Sequence, residues 1–470
     1  MSANELIVGE PRLGWLIDDN QNTPHVAVML LDTGNAIELT VPLKGTFKED
    51  DPYARWFMPN YTEYGDDPGR TEYTYAPPRN LLFTDGYGVV VLVDCRTGSS
   101  LVKMAGPMGG HGKIIANYAV LGGHSLDYDT LNGLQTESPG VTAWSRLGDV
   151  NVIQGREETT KTLVSETVEL GVPGVLDISK TMNLTLEPML KHHKEDSHVT
   201  VRNSVTVRTF VTEPVDWETH LETHTAVLDL ASISAWRPFG FSEVRVHRGD
   251  GSERSAGDTA LRDRWAKVAT HRLWEHKAWT KRLRFLFPYE EVGASGIDDW
   301  LNLRRDYKEA LDSLIGILRS DEPWSRASII QSGVMLETLG YLIDTIKLES
   351  REQSKSKADG KRGQISFNCA LRLVLDDMVI KPFKFVHSGG RIEPMEEENW
   401  IKETNRIYMG LKHYDRRASD PLDSLDSLNS MKMNLQVMRC WVALQLGISP
   451  KTLEENLKHD PLSNKFVKEG

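Results

Sequence analysis

The chain has 470 residues, 39% hydrophobic and 26% charged, with a net charge of −12. That is enough for two or three domains and a sizeable core, and too acidic for general attraction to nucleic acid, so any RNA contact must come from local patches. Three scattered cysteines (Cys95, Cys369, Cys440) exclude a disulfide framework or zinc ribbon and fit a reducing cytoplasm. No secretory leader and no run of eighteen apolar residues is visible, so a cytoplasmic protein with no membrane partner is expected.

The first half reads as β. Apolar runs separated by turn signals fall at His25–Leu31, Ala36–Leu43, Gly88–Val93, Lys113–Leu121, Thr162–Val168 and Val199–Val207. Asp32-Thr33-Gly34-Asn35 makes a hairpin turn between the first two. Asp51 to Pro78 reads as a long loop. Gly106 to Lys113 lacks the glycine and hydroxyl of a phosphate loop and reads as a glycine-rich strand connection.

At Thr212 the period changes. Pro214, Asp216 and Glu218 mark a helix start, followed by apolar Leu221, Val227, Leu228, Leu230 and Ala231. His220 and His224 lie one turn apart on it. The zinc-protease order is absent and no third ligand is evident, so satisfied core or surface histidines are expected and no metal. Strands resume at Val244–His247 and Leu283–Pro288. Between them, Leu261 to Phe287 gathers Arg272, Lys277, Lys281, Arg282 and Arg284 with Trp265, Trp274 and Trp279, which suits phosphate contact and base stacking, or equally an ordinary basic strand face.

Gly293-Ala294-Ser295-Gly296 reads as a linker. From Ile297 the pattern is helical: Trp300 to Leu318, Ser325 to Ile346, Ile365 to Met378, a helix after Pro394, and Leu422 to Leu446 ended by Gly447. The fold class is therefore α+β, with a β-rich N-terminal domain over 1–292, divided further near 210, and an all-α bundle over 297–460.

The stretch Asn399 to Arg417 carries the chemistry. Arg406 and His413 stand seven residues apart, about two turns and roughly 10 Å along a helix, unless Gly410 ends it. Histidine can give or take a proton near neutrality, and the arginine fork matches two phosphate oxygens. Such a pair suits metal-free RNA cleavage. Arg406 and His413 are the catalytic candidates; Asn405, Lys412, Tyr414 and Arg416 are candidates for substrate contact. Glu337, inside an apolar helix, is either a bundle-surface carboxylate or a partner that orients Arg406 or His413.

A helical bundle with Glu403-Thr404-Asn405-Arg406, then His413-Tyr414-Asp415, before a last long helix resembles the HEPN superfamily, and most closely the Apea-like HEPN branch of ApeA antiphage abortive-infection ribonucleases. Leu446-Gly447-Ile448-Ser449, Gly14-Trp15-Leu16, Leu43-Lys44-Gly45 and Val227 to Ser232 carry the same likeness. The resemblance implies a HEPN-type endoribonuclease toxin of antiviral defence, active without a cofactor. Its partners would be RNA, tRNA among the choices, a phage-derived trigger, and a second copy in a homodimer or higher oligomer. Leu425, Leu428, Met431 and Leu435 are the expected interface positions. The β-rich half would sense or inhibit. Asn405 precedes Arg406 where the family has the reverse order, and six residues separate Arg406 from His413. Both departures favour an alternative: a non-catalytic HEPN-type sensor of nucleotide or protein.

Overall fold

The computed structural model describes residues 4–17, 26–44, 53–57, 76–102, 109–123, 125–156, 163–171, 173–195, 198–249, 253–254, 261–262, 265–271, 283–348, 365–388, 391–413 and 424–467. The N-terminal strands are β1 (Arg12–Ile17), β2 (Val26–Asp32), β3 (Ile37–Leu43), β4 (Asn80–Asp85), β5 (Gly88–Val102) and β6 (Gly110–Leu121). Period-two burial along β3 shows why they form: alternate residues Ile37, Leu39, Val41 and Leu43 point inward. The Asp32–Asn35 turn closes as expected, with Gly34 N–H donating to Asp32 Oδ1 at 2.8 Å.

These six strands close on themselves. Their order is β6-β3-β2-β1-β4-β5, and β5 pairs back onto β6. The barrel interior is a separate apolar cluster that includes Leu30, Leu39, Phe83, Leu92 and Ile114. One edge of β6 is shared: residues 110–116 pair with β3, and 119–121 pair with a later strand.

That later strand starts an open arm. After β6 come β7 (Thr130–Glu137), α1 (Pro139–Ser145), the separate hairpin β8 (Asp149–Arg156) and β9 (Leu163–Gly171), then β10 (Leu176–Ser179), β11 (Leu184–Glu195), β12 (His198–Asp216) and α2 (Trp217–Ala235). Next are β13 (Glu243–His247), the two-residue strands β14 (Glu253–Arg254) and β15 (Leu261–Arg262), and β16 (Trp265–Ala269). The arm runs from β6 through β16, β13, β7, β12 and β11 to β10.

Helix α2 is the post on which the rest packs. Asp216 Oδ1 caps its start by accepting from Thr219 N at 2.8 Å. The expected stripe, Val227, Leu228, Leu230 and Ala231, is fully buried. Segment 283–288 is not a strand, contrary to its sequence pattern. It runs as an extended connection: Leu286 N donates to Ser234 O at 2.8 Å, and Leu286 and Phe287 enter the common core.

The helical part consists of α3 (Tyr289–Asp306), α4 (Lys308–Arg319), α5 (Arg326–Leu342), α6 (Phe367–Asp376), α7 (Glu397–His413), α8 (Ser424–Gln445) and α9 (Pro450–Leu457), with the minimal pair β17 (His387–Ser388) and β18 (Arg391–Ile392) before α7. The glycine stretch 293–296 lies inside α3 and kinks it at Gly293, whose φ of 63° favours glycine. The single helix expected over Trp300–Leu318 breaks at Tyr307, and α5 continues as a π-helical turn, Ile343–Leu348. One apolar core extends from the open arm and α2 through all the helices. Trp300 Nε1 donates to Ala226 O of α2 at 2.7 Å, and Arg439 of α8 donates to Ile233 O and Ser234 O at α2's far end, both at 2.7 Å.

Candidate functional site

Helix α7 carries the site. It starts on Glu397 and Glu398, whose charges favour a helix N-terminus. Its inner face buries Trp400, Ile401, Thr404, Ile407 and Tyr408 against α5, α6 and α8. Gly410 neither ends nor bends it, and the helix runs to His413. Arg406 and His413 therefore lie about 20° apart around the axis, with a rise of about 10 Å between them. His413 is described only as the last helical residue; its side chain, Tyr414 and Arg416 lie outside the described residues.

Arg406 is 46% exposed and gripped by Glu403 one turn earlier: Nε donates to Oε2 at 2.9 Å and Nη2 to Oε1 at 2.6 Å. Asn399, Lys402 and Met409 share its solvent-facing stripe. Lys412 points elsewhere. Six residues on, it is turned about 120° from Arg406. Its Nζ donates to Tyr408 Oη at 3.0 Å, and Tyr408 Oη donates to Glu337 Oε2 at 2.7 Å. Glu337 is thus a partially exposed carboxylate that orients Tyr408 and Lys412, not Arg406 as one expectation had it. Burial pushes the Tyr408 phenol up, opposed by Lys412 and reinforced by Glu337. The bond to Tyr408, with the Glu337 charge, pushes the Lys412 ammonium up, so it stays a cation. Asn405 is half-buried on the helix flank.

The inner face is fixed by a polar line the sequence did not reveal. Thr404 Oγ1 donates to Asn434 Oδ1 at 3.1 Å, and Asn434 Nδ2 donates to Ser332 Oγ at 3.2 Å. This line joins α7, α8 and α5. At the site's end, Arg326 Nη2 donates to Leu411 O at 3.4 Å, which brings another cation beside the last turn of α7. Glu403, which the sequence offers only as a member of the Glu-Thr-Asn-Arg motif, stands three residues before Arg406, the usual spacing for a helical ion pair.

The other expected features resolve differently. His220 and His224 are buried in a line of hydrogen bonds that leaves no lone pair for a metal. His220 Nε2 donates to Leu131 O at 3.1 Å, so its Nδ1 accepts from Thr209 at 2.8 Å; Thr209 in turn accepts from His224 Nε2 at 2.9 Å, and Thr136 donates to His224 Nδ1 at 2.8 Å. Burial drives the His224 imidazole down to about 3, with help from His220. Among the described residues no cluster of three His, Cys, Asp or Glu could hold a metal ion. Of the four expected interface positions, Met431 and Leu435 are fully buried in the chain's own core, because α8 is the central helix of the bundle; Leu425 and Leu428 are half-buried. Arg272, Lys277, Lys281 and Arg282 lie outside the described residues; Arg284 donates to His459 O at 3.1 Å. Gly110 to Lys113 belong to β6, with Lys113 paired to Glu38 at 2.7 Å. A cavity of ≈ 590 Å³ under Tyr118, Phe241 and Leu301 lies away from the motif, and its Arg304 and Lys308 share Asp312.

Fold and site define an α+β protein in which a β-barrel and its sheet arm precede a helical bundle whose helix α7 carries the exposed Arg406 and ends on His413. Residues 12–302 match the family model described as ApeA N-terminal domain 1, which is more than half of the chain, and the chain belongs to this family. Membership points to a protein of ApeA-type antiphage defence. No curated protein and no solved structure matches it. Among the described residues no helix is long and apolar enough to cross a membrane.

Proposed function

We propose that the chain is a metal-independent endoribonuclease toxin of the HEPN type, kept silent in the cytoplasm until a phage-derived trigger acts through the β-rich half. The observation that supports this reading is the unbroken α7, which carries the exposed cation Arg406 and, two turns on and about 20° around the axis, ends on His413. In the reaction a 2′-hydroxyl loses its proton and attacks the adjacent phosphorus. The 5′-oxygen leaves with a proton, giving a 2′,3′-cyclic phosphate and a 5′-hydroxyl. Arg406 neutralises the crowded phosphate oxygens, and His413 moves one of the two protons. The second proton transfer asks for a second histidine, which a two-fold dimer pairing the exposed α7 stripes supplies. Asn405, Lys412, Tyr414 and Arg416 then line the RNA path.

The experiment is RNA cleavage by purified wild type, Arg406→Ala and His413→Ala in excess EDTA, with product ends mapped. Each variant should lose about 10²–10⁴-fold in rate while its circular dichroism stays unchanged. Retained cleavage by a folded variant, or cleavage that EDTA stops and magnesium restores, overturns the assignment. The Glu403 grip on Arg406 favours a second reading, a non-catalytic nucleotide or protein sensor. Growth arrest on expression that does not need His413 would select it.

A further inference from the structure

The cavity of ≈ 590 Å³ is a cleft where the β-rich part meets the helical bundle, and its size falls within the about 300–1,000 Å³ of small-molecule sites. Its floor is apolar: Tyr118 of β6, Leu221 of α2 and Phe241 ahead of β13. Its two walls are charged, with opposite signs.

One wall is α2. Glu218 and Glu222 stand one turn apart on it, about 6 Å along the axis, and both are exposed. Among the described residues neither carboxylate has an ion pair or a hydrogen bond. The other wall is the junction of α3 and α4, with Arg304, Arg305 and Lys308. Asp312 accepts from Arg304 Nη1 at 2.9 Å and from Lys308, and Asp306 accepts from Arg305 Nε at 2.9 Å. Neither aspartate lines the cleft. Arg304 keeps Nε and Nη2, Arg305 keeps both Nη groups, and Lys308 keeps two N–H bonds, so each cation has donors left. Arg305 and Lys308 are 71% and 63% exposed, so solutes reach them, and exposed ion pairs of this kind are weak enough to exchange.

A ligand must serve both walls. A bare anion faces Glu218 and Glu222, and a bare cation faces Arg304, Arg305 and Lys308. What fits is an anion at one end, neutral O–H or N–H donors at the other, and a flat, largely apolar body between. Arginine forks match phosphate oxygens two at a time, and a carboxylate accepts from ribose hydroxyls. We propose that this cleft binds a nucleoside phosphate, with its phosphates on Arg304, Arg305 and Lys308 and its sugar hydroxyls or base amino group on Glu218 and Glu222. The ligand ties α2 of the β-rich part to the first helices of the bundle. The site stands apart from α7 and does not rest on the ribonuclease reading.

The test is calorimetric titration of the full-length protein with each of the four ribonucleoside triphosphates, with tripolyphosphate and adenosine as comparisons. At least one nucleotide should bind more tightly than tripolyphosphate, which lacks the donors, and than adenosine, which lacks the charge. Arg305→Glu, at an exposed position, should weaken that nucleotide and tripolyphosphate alike, by about tenfold or more. The double variant Glu218→Ala/Glu222→Ala separates this site from a plain anion site by the sign of its effect. Loss of two negative charges strengthens any anion held by charge alone, so tripolyphosphate should bind more tightly. The nucleotide, robbed of its acceptors, should bind about tenfold more weakly. A 5′-triphosphate RNA hexamer distinguishes two sources of the same chemistry: weaker binding than the nucleotide marks a free nucleotide, tighter binding an RNA end. Binding by none of the four nucleotides overturns the proposal. So does tripolyphosphate bound as tightly as every nucleotide, or a double variant that binds the nucleotide more tightly.

Discussion

Arg439→Met should remove a large part of the stability of the protein. Arg439 is wholly buried, and its guanidinium reaches three partners: Ile233 O, Ser234 O, and Asp460 through Oδ1 at 2.8 Å and Oδ2 at 2.9 Å. The two carbonyls each keep another donor, Trp236 N and Leu286 N. Asp460, 2% exposed at its side chain, keeps the Leu462 amide on Oδ1 and the more distant charge of Lys432, and is left a buried carboxylate without its close partner. Breaking a buried pair from one side costs about 3–5 kcal/mol, a large share of the usual total of about 5–15 kcal/mol. The double variant Arg439→Met/Asp460→Asn removes the orphaned charge while an amide oxygen still serves Leu462, so it should recover much of the loss. Urea midpoints by tryptophan fluorescence measure the wild type, Arg439→Met, Asp460→Asn and the double variant. A loss under about 1 kcal/mol for Arg439→Met, or a double variant as weak as the two singles added, refutes the reasoning.

Two titrations on α2 should tilt stability in opposite directions. Burial raises the Asp229 carboxyl to about 6 from 3.8, against the pull of Arg319 and Arg304. Between those values the folded chain holds a proton that the unfolded chain has lost, so this group adds stability as pH falls from 6 toward 3.8, on the order of 3 kcal/mol, and Asp229→Asn should remove that gain. His224 does the reverse: at about 3 instead of 6.5 it stays neutral in the fold, so its contribution is complete above 6.5 and lost as pH falls, and His224→Gln should flatten that loss in urea midpoints from pH 7 to 4.5. Gly340→Ala should destabilise by about 1–3 kcal/mol in thermal melts, since its Cβ would stand 2.5 Å from the Ala370 backbone and force α5 and α6 apart; an unchanged melting temperature contradicts that contact.

Local chemistry made much of this fold legible. The Asp32 turn, the Asp216 cap, the alternation in β3 and the long apolar helices were all visible, because each is decided by residues close in sequence. The misread places were decided by distant partners. Segment 283–288 has the apolar content of a strand, yet its backbone is taken by Ser234 and its apolar groups by the common core. The glycines at 293 and 296 suggested a linker, but one supplies a kink and the other lies where a side chain would crowd Val292. Barrel closure between β5 and β6 leaves no mark in either strand alone. At the candidate site, the spacing of Arg406 and His413 was readable, and both lie on α7. Glu403, Trp400 and the Thr404–Asn434–Ser332 line matter through what lies across the helix interface, which the spacing of residues on α7 does not reveal.

The closed ring of β1 to β6 has a consequence for how the molecule keeps to itself. Where the ring strands pair on both sides they offer no free row of backbone groups for another chain to extend; among the described residues β5 from Arg96 to Val102 pairs in the sheet with β6 alone. The open arm cannot close, and it runs out at β10. There α3 packs against Leu176–Ser179. A chain cut before Tyr289 would keep every strand of the twelve-stranded sheet and yet lose that cover, leaving a short template on which a second molecule could add a strand. The helices thus protect the β part from its own last strand.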